Sequence, residues 1–243
     1  MTADAWFTRL TLKREDASAA PLLQELAPSD AGDAMVVGHR LMWSVASPDT
    51  RAAFDNANPE RKDGAAFLWR EAEAGRKFYM LGPRPLETSP LFRIETKPFA
   101  AAFRAGERLS FELRVNPTVA RKGEAGGSSK RLDVAMARML AEEANGADRK
   151  DRAARRSKAA EDSTRDWLIR IGERDGFTLK GLRLDAYRVE RLPRRGPEAK
   201  IGVCDVGGVL EVTDGEPLFA RVLAGFGRAK AFGCGLMLLR RLA

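Results

Sequence analysis

Residues 225–236 read GFGRAKAFGCGL, and the rest of the chain is best understood outward from them. Gly225, Gly227, Gly233 and Gly235 stand close together, a spacing that permits turns with positive φ and lets backbone approach a bulky ligand. Arg228 and Lys230 lie between them, so amides and cations could be aimed together at phosphate oxygens. The same pattern also suits a glycine-rich turn that leads into a buried strand and needs no ligand. The apolar run that follows, Ala231 to Leu239, is far too short to span a bilayer.

Moving toward the N-terminus, Glu216 to Leu223 reads as a short helix. Before it, Lys200–Val206 and Val209–Val212 flank Gly207-Gly208, which predicts a hairpin. Phe177 to Val189 alternates like a strand and changes phase near Gly181-Leu182, where glycine permits a bulge. Ser163 is a candidate N-cap for a helix to Glu173, with Trp167 and Ile171 on one face. Helical patterning also covers Leu132 to Ala144. The clearest strand is Leu109 to Asn116, where Leu109, Phe111, Leu113 and Val115 point one way, and Pro117 ends it. The glycine- and serine-rich tract Arg121 to Arg131 is expected to be a loop with basic ends, Arg121, Lys122, Lys130 and Arg131.

The first hundred residues give a strand at Trp6–Leu12 and a helix over Ala34–Ala46, opened by Asp30 and Asp33. Strands follow at Ala65–Arg70 and Arg76–Leu81, with Glu71–Gly75 as the turn, and Pro83 and Pro85 stop the second. Strand, helix, strand, strand is the first part of a ferredoxin-like βαββαβ unit. The second half is also mixed α/β, with a boundary between Pro85 and Gly106. No sequence repeat links the halves.

The chain has 243 residues, 44% of them hydrophobic, enough for one large domain or two small ones. Its 42 Lys and Arg against 34 Asp and Glu give a net charge of +8, which favours polyanionic partners, nucleic acid first. Cys204 and Cys234 have no CxxC companion; they suit a reducing compartment and buried small side chains rather than a disulfide or zinc site. Met1 to Trp6 lacks the basic and apolar regions of a signal peptide, so the cytoplasm is the expected location.

The wording of the C-terminal stretch, GxGxxKAFGCGLxxL, resembles the signature of the CasE family, the CRISPR RNA-processing endoribonucleases of type I-E systems. Three further segments agree in order: GHRLMW (Gly38–Trp43) with the family's histidine-bearing helix, LRVNPTVARK (Leu113–Lys122) with a strand and Asn-Pro turn, and GGVLEV (Gly207–Val212) with a late strand. The resemblance implies an α+β fold of two tandem ferredoxin-like (RRM-like) domains, divided here into residues 1–95 and 96–243. It implies an endoribonuclease that cuts the CRISPR repeat hairpin at its 3′ base, without metal or other cofactor, by 2′-hydroxyl attack that leaves a cyclic phosphate. The partners it implies are the repeat or guide RNA and the other subunits of the Cascade complex, with no membrane. An inactive hairpin-RNA-binding subunit is the alternative.

His39, the one histidine in the chain, stands at the family's catalytic position. An imidazole can deprotonate the 2′-hydroxyl or protonate the 5′-oxygen, and the sequence leaves both roles open. The family often has a tyrosine one helical turn earlier, where this chain has Val36. The candidates for helper groups are Arg40, and Lys230 with the glycine-loop amides. Two basic stretches could follow RNA phosphates. Arg149, Lys150, Arg152, Arg155, Arg156 and Lys158 form either an arm or a solvated linker. Arg188, Arg191, Arg194, Arg195 and Lys200 surround Pro193 and Pro197 in a loop, and this is the preferred contact. For most of Trp6, Phe7, Trp43, Trp69 and Phe78, core packing is the expected role over base stacking.

Overall fold

In the computed structural model the described residues are 5–13, 34–55, 64–73, 75–121, 130–145, 152–191 and 200–242. The expected helix start at Asp30 and Asp33, and Lys122, Arg149, Lys150, Arg194 and Arg195, lie outside them. The chain divides into two compact units: Met1–Ala101 with Ala229–Leu236, and Ala102–Arg228 with Met237–Ala243.

The first unit contains β1 (Trp6–Leu12), α1 (Ala34–Ser44), α2 (Pro48–Ala53), β2 (Leu68–Glu73), β3 (Lys77–Gly82) and β4 (Phe92–Pro98). Its sheet runs β2-β3-β1-β4, antiparallel throughout. The reason lies in the alternation of each strand. Leu10, Trp69, Phe78, Met80 and Phe92 turn to one side and meet Leu41, Met42 and Val45 in a single core. Full burial of a side chain such as Leu10 stabilises by roughly 2 kcal/mol. Ser47 starts α2 by accepting a hydrogen bond from the Thr50 amide at 3.2 Å, with Pro48 next in line. The crossover from β3 to β4, residues 83–91, contains Pro83, Pro85 and Pro90 and forms no helix.

The second unit holds β5 (Arg108–Val115), the small hairpin β6 (Thr118–Arg121) and β7 (Lys130–Asp133), α3 (Val134–Ala144) and α4 (Arg152–Asp175). It continues through β8 (Phe177–Arg191), β9 (Lys200–Val212), α5 (Gly215–Ala224) and β10 (Met237–Arg241). The main sheet runs β10-β5-β9-β8, again antiparallel. In each unit the first strand therefore lies between the third and the last. Both sheets are ferredoxin-like, and the class is α+β. The topology repeats although the sequence does not, because hydrophobic alternation, not residue identity, selects the pairing.

The alternation of Leu109, Phe111, Leu113 and Val115 is seen as expected, all four buried in β5. Asp133 caps α3, accepting from the amides of Ala135 and Met136 at 3.0 Å each. The phase change in β8 is a register shift between Leu179 and Gly181, followed by a second between Leu184 and Ala186.

Three expectations are corrected. Gly207-Gly208 is not a hairpin turn but lies inside the continuous strand β9. A Cβ on Gly208 would stand 2.1 Å from the Gly181 carbonyl and 2.9 Å from the Phe111 ring, so glycine is there for close strand approach. Ser163 is not an N-cap; it is buried in the middle of α4, and its hydroxyl donates to the Ala159 carbonyl at 2.5 Å. Residues 152–158 are the start of α4 rather than a linker, and Arg155 there pairs with Glu142 at 3.3 Å.

Candidate active site

His39 lies in the middle of α1, half-buried. One helical turn later the indole of Trp43 occupies the same face, as i and i+4 residues do. Its Nε1 donates to His39 Nε2 at 3.0 Å, and the two rings meet nearly perpendicular, at 84° with centroids 6.1 Å apart. Trp43 is fixed in turn: its ring stands against Phe67, with centroids 5.2 Å apart, and its carbonyl accepts from the Arg51 guanidinium. The other imidazole nitrogen, Nδ1, is buried and has no hydrogen-bond partner among the described residues.

The second wall comes from the glycine-rich segment, whose residues Ala229–Leu236 belong to the same unit as α1. Backbone φ is positive at Gly225 (74°), Gly227 (66°), Ala229 (57°), Gly233 (76°) and Gly235 (95°). Between these bends Lys230–Phe232 make one 3₁₀ turn packed on α1 and β2. Trp69 of β2 secures the turn by donating from Nε1 to the Ala231 carbonyl at 3.3 Å. The indole of Trp69 passes between two glycines. A Cβ would meet its ring at 2.4 Å from Gly38 and 3.1 Å from Gly233, and only residues without one let the helix and the loop come so close.

Burial holds the His39 pKa below its ordinary 6.5, and the neighbouring Ala231 carbonyl opposes this by favouring the protonated ring. The Ala231 oxygen faces the imidazole without closing a hydrogen bond of ordinary geometry to Nδ1. The net result is a ring held neutral at neutral pH, able to accept a proton.

Residues 5–241 match the family described as CRISPR associated protein. The chain belongs to that family. Among solved structures, Thermus thermophilus Cse3 bound to an RNA representing a pre-cleavage complex is similar at 22% identity and a TM-score of 0.60, covering 98% of this chain and 99% of that one. The CRISPR-associated protein Cas6e from Escherichia coli K-12 is similar at 18% identity and 0.56, covering 98% and 100%. A chain of a CRISPR RNA-guided surveillance complex, pre-nicking, is similar at 18% and 0.56, covering 96% and 98%. At these identities the likeness establishes the shared backbone fold. No curated protein matches the chain in sequence.

The other candidate residues of this family member are distributed over both units. Arg40 is exposed beside His39, and Lys230 is half-buried in the 3₁₀ turn. Gly225, Gly227 and Arg228 fall in the second unit, where Arg228 forms a backbone bridge with Asn116. Arg121 and Lys130 pair across the ends of β6 and β7, and Arg131 is exposed next to them. Arg191 is exposed at the end of β8. Arg188 is engaged by Asp205, which also takes a two-point bond from Arg114 at 2.8 and 3.2 Å. A cation already shared in this way has less to offer a phosphate.

In the sequence Trp43 and Trp69 read as packing aromatics, and Ala231 carries no signal. The His39–Trp43 spacing was a usable signal; the Ala231 carbonyl had none. Val36 offers no hydroxyl, and both tyrosines are engaged elsewhere. Tyr79 stacks on Phe7 at 5.5 Å, and Tyr187 donates to Asp133 at 3.1 Å.

Proposed function

We propose that the protein is an endoribonuclease that cuts CRISPR repeat RNA at the 3′ base of its hairpin and then keeps the guide RNA as a Cascade subunit in the cytoplasm. The observation that carries this reading is His39, half-buried on α1 against the glycine loop and kept neutral by burial. The neutral imidazole takes the proton from the ribose 2′-hydroxyl, worth ~10²–10⁴-fold in rate. The 2′-oxygen bonds to phosphorus, the P–O5′ bond breaks, and the departing 5′-oxygen collects a proton. The products are a 2′,3′-cyclic phosphate and a 5′-hydroxyl end, a route that needs no metal. Developing charge on the phosphoryl oxygens is met by Lys230, Arg40 and amides of residues 229–236. The similar Cse3 structure contains a pre-cleavage RNA, and the surveillance-complex chain belongs to an RNA-guided assembly; both support RNA processing and retention.

The test is cleavage of a labelled repeat hairpin in EDTA by native protein and by His39→Ala. Native cutting with binding but no cutting by the variant is the expected result. Equal cutting by both would remove His39 from the mechanism. Val36, where the family resemblance has a tyrosine, favours a second reading, a subunit that holds the hairpin without cutting it. Tight binding by both proteins with no cleavage at any pH would establish that reading instead.

A further inference from the structure

The contact between His39 and Trp43 assigns a role to the tryptophan. An indole N–H is a donor only, so the nitrogen it meets must carry a lone pair. That nitrogen is Nε2, and the neutral ring must therefore hold its proton on Nδ1, the nitrogen buried beside the loop. We propose that Trp43 is a positioning residue: its indole N–H fixes His39 in the Nδ1–H form and keeps Nε2 as the basic nitrogen until a ribose 2′-hydroxyl takes its place. Both groups are donors of similar reach to the same lone pair. The indole thus occupies, in the free protein, the position that the substrate hydroxyl must take for its proton to be removed. This inference rests on the nuclease reading of His39.

Among the described residues, Trp43 is the hydrogen-bond partner of Nε2. Charged groups on the elements around α1 are Lys230 in the 3₁₀ turn, Arg70, Glu71 and Glu73 on β2, and Asp49 and Arg51 on α2, with Arg40 adjacent on α1 itself. Of these, Arg51 spends its guanidinium on the carbonyls of Trp43 and Ala46. Protonating Nε2 would turn it into a donor facing a donor, so the contact resists protonation in addition to the effect of burial.

The chain has one histidine, and this makes the test clean. Nitrogen-15 NMR of histidine-labelled protein without RNA reports the tautomer and titration of His39 alone. Native protein should show the proton on Nδ1, and Trp43→Phe should shift the ring toward the Nε2–H form and titrate at higher pH. Phenylalanine keeps an aromatic ring against Phe67 while removing the donor. The acidic limb of the cleavage profile should move upward by the same amount as the titration. A native Nε2–H tautomer would overturn the proposal, and this needs no folded variant. So would a Trp43→Phe ring with tautomer and titration unchanged. Because the NMR arm needs no RNA, a protein that fails to cut would sink the nuclease reading and leave the Trp43 contact standing.

Discussion

The indole of Trp69 fills the space where a side chain on Gly38 would stand; a Cβ there would lie 2.4 Å from its Cη2 atom. Trp69 is only 4% exposed and cannot swing away. Gly38→Ala therefore sets two effects against each other. Alanine gains ~1 kcal/mol of helix propensity, while overpacking a tight site costs ~1–3 kcal/mol. The clash should win, with a net loss of about 1 kcal/mol in urea unfolding. The Trp69–Ala231 bond should loosen with it, so cleavage should fall by more than stability alone explains.

Stability should depend on pH through His39. Its folded pKa lies below the ordinary 6.5, so the unfolded chain binds the proton first. Stability is then fully present above 6.5 and declines as pH falls through the window between the unfolded and the lowered folded pKa. Thermal melts of native protein and His39→Gln at a series of pH values test this. The native Tm should drop faster than the variant's as the solution is acidified below 6.5. Parallel curves would show that the ring is not protected from protonation.

Asp205 is shared by two arginines of unequal burial, and their losses should differ accordingly. Asp205→Ala removes the carboxylate that Arg114, 24% exposed, and Arg188 share, at a cost of about 2 kcal/mol. Arg188→Ala should cost under ~1 kcal/mol, because Arg188 is 45% exposed and Arg114 still satisfies the carboxylate. Denaturant midpoints at constant slope distinguish the two.

The same pairing makes a prediction for RNA. A cation that engages a phosphate adds ~0.7–0.9 to the slope of log affinity against log salt. Arg191→Ala should lower that slope more than Arg188→Ala, since Asp205 and Glu190 already hold Arg188. A larger effect at Arg188 would mean that RNA draws it off its carboxylates.

Ala229 is the one non-glycine residue with positive φ among the described residues. An L side chain in that conformation costs ~1–2 kcal/mol, part of which glycine's extra unfolded-state freedom offsets. Ala229→Gly should therefore raise stability slightly, by up to about 1 kcal/mol in chemical unfolding, and Ala229→Val should lower it.

What the sequence revealed and what it concealed follow from the range of the interactions. Leu109 to Val115 could be read directly, because one strand carries its own period and its two faces have different surroundings. Gly207-Gly208 could not, since the pair lies where Phe111 and the Gly181 carbonyl close in from neighbouring strands, and those neighbours are invisible along the chain. Ser163 looks like a helix start only while the preceding basic residues are read as a linker; in α4 Arg155 is paired with Glu142. The site divides in the same way. His39 stands out in the sequence by its position in GHRLMW, whereas Trp43, four residues on, reads there only as a packing residue. The Ala231 carbonyl, secured by a tryptophan 162 residues away, had no local mark.

The return of residues 229–236 to the N-terminal unit sets an order in time. The ribosome finishes α1 long before it makes the turn that completes the wall beside His39. At 5–20 residues per second the wait is roughly 10–40 s. Throughout that interval the nascent chain displays an imidazole with no loop against it. Any RNA met during synthesis therefore meets His39 without its loop wall, which is completed only after the glycine-rich segment has been made and has folded back.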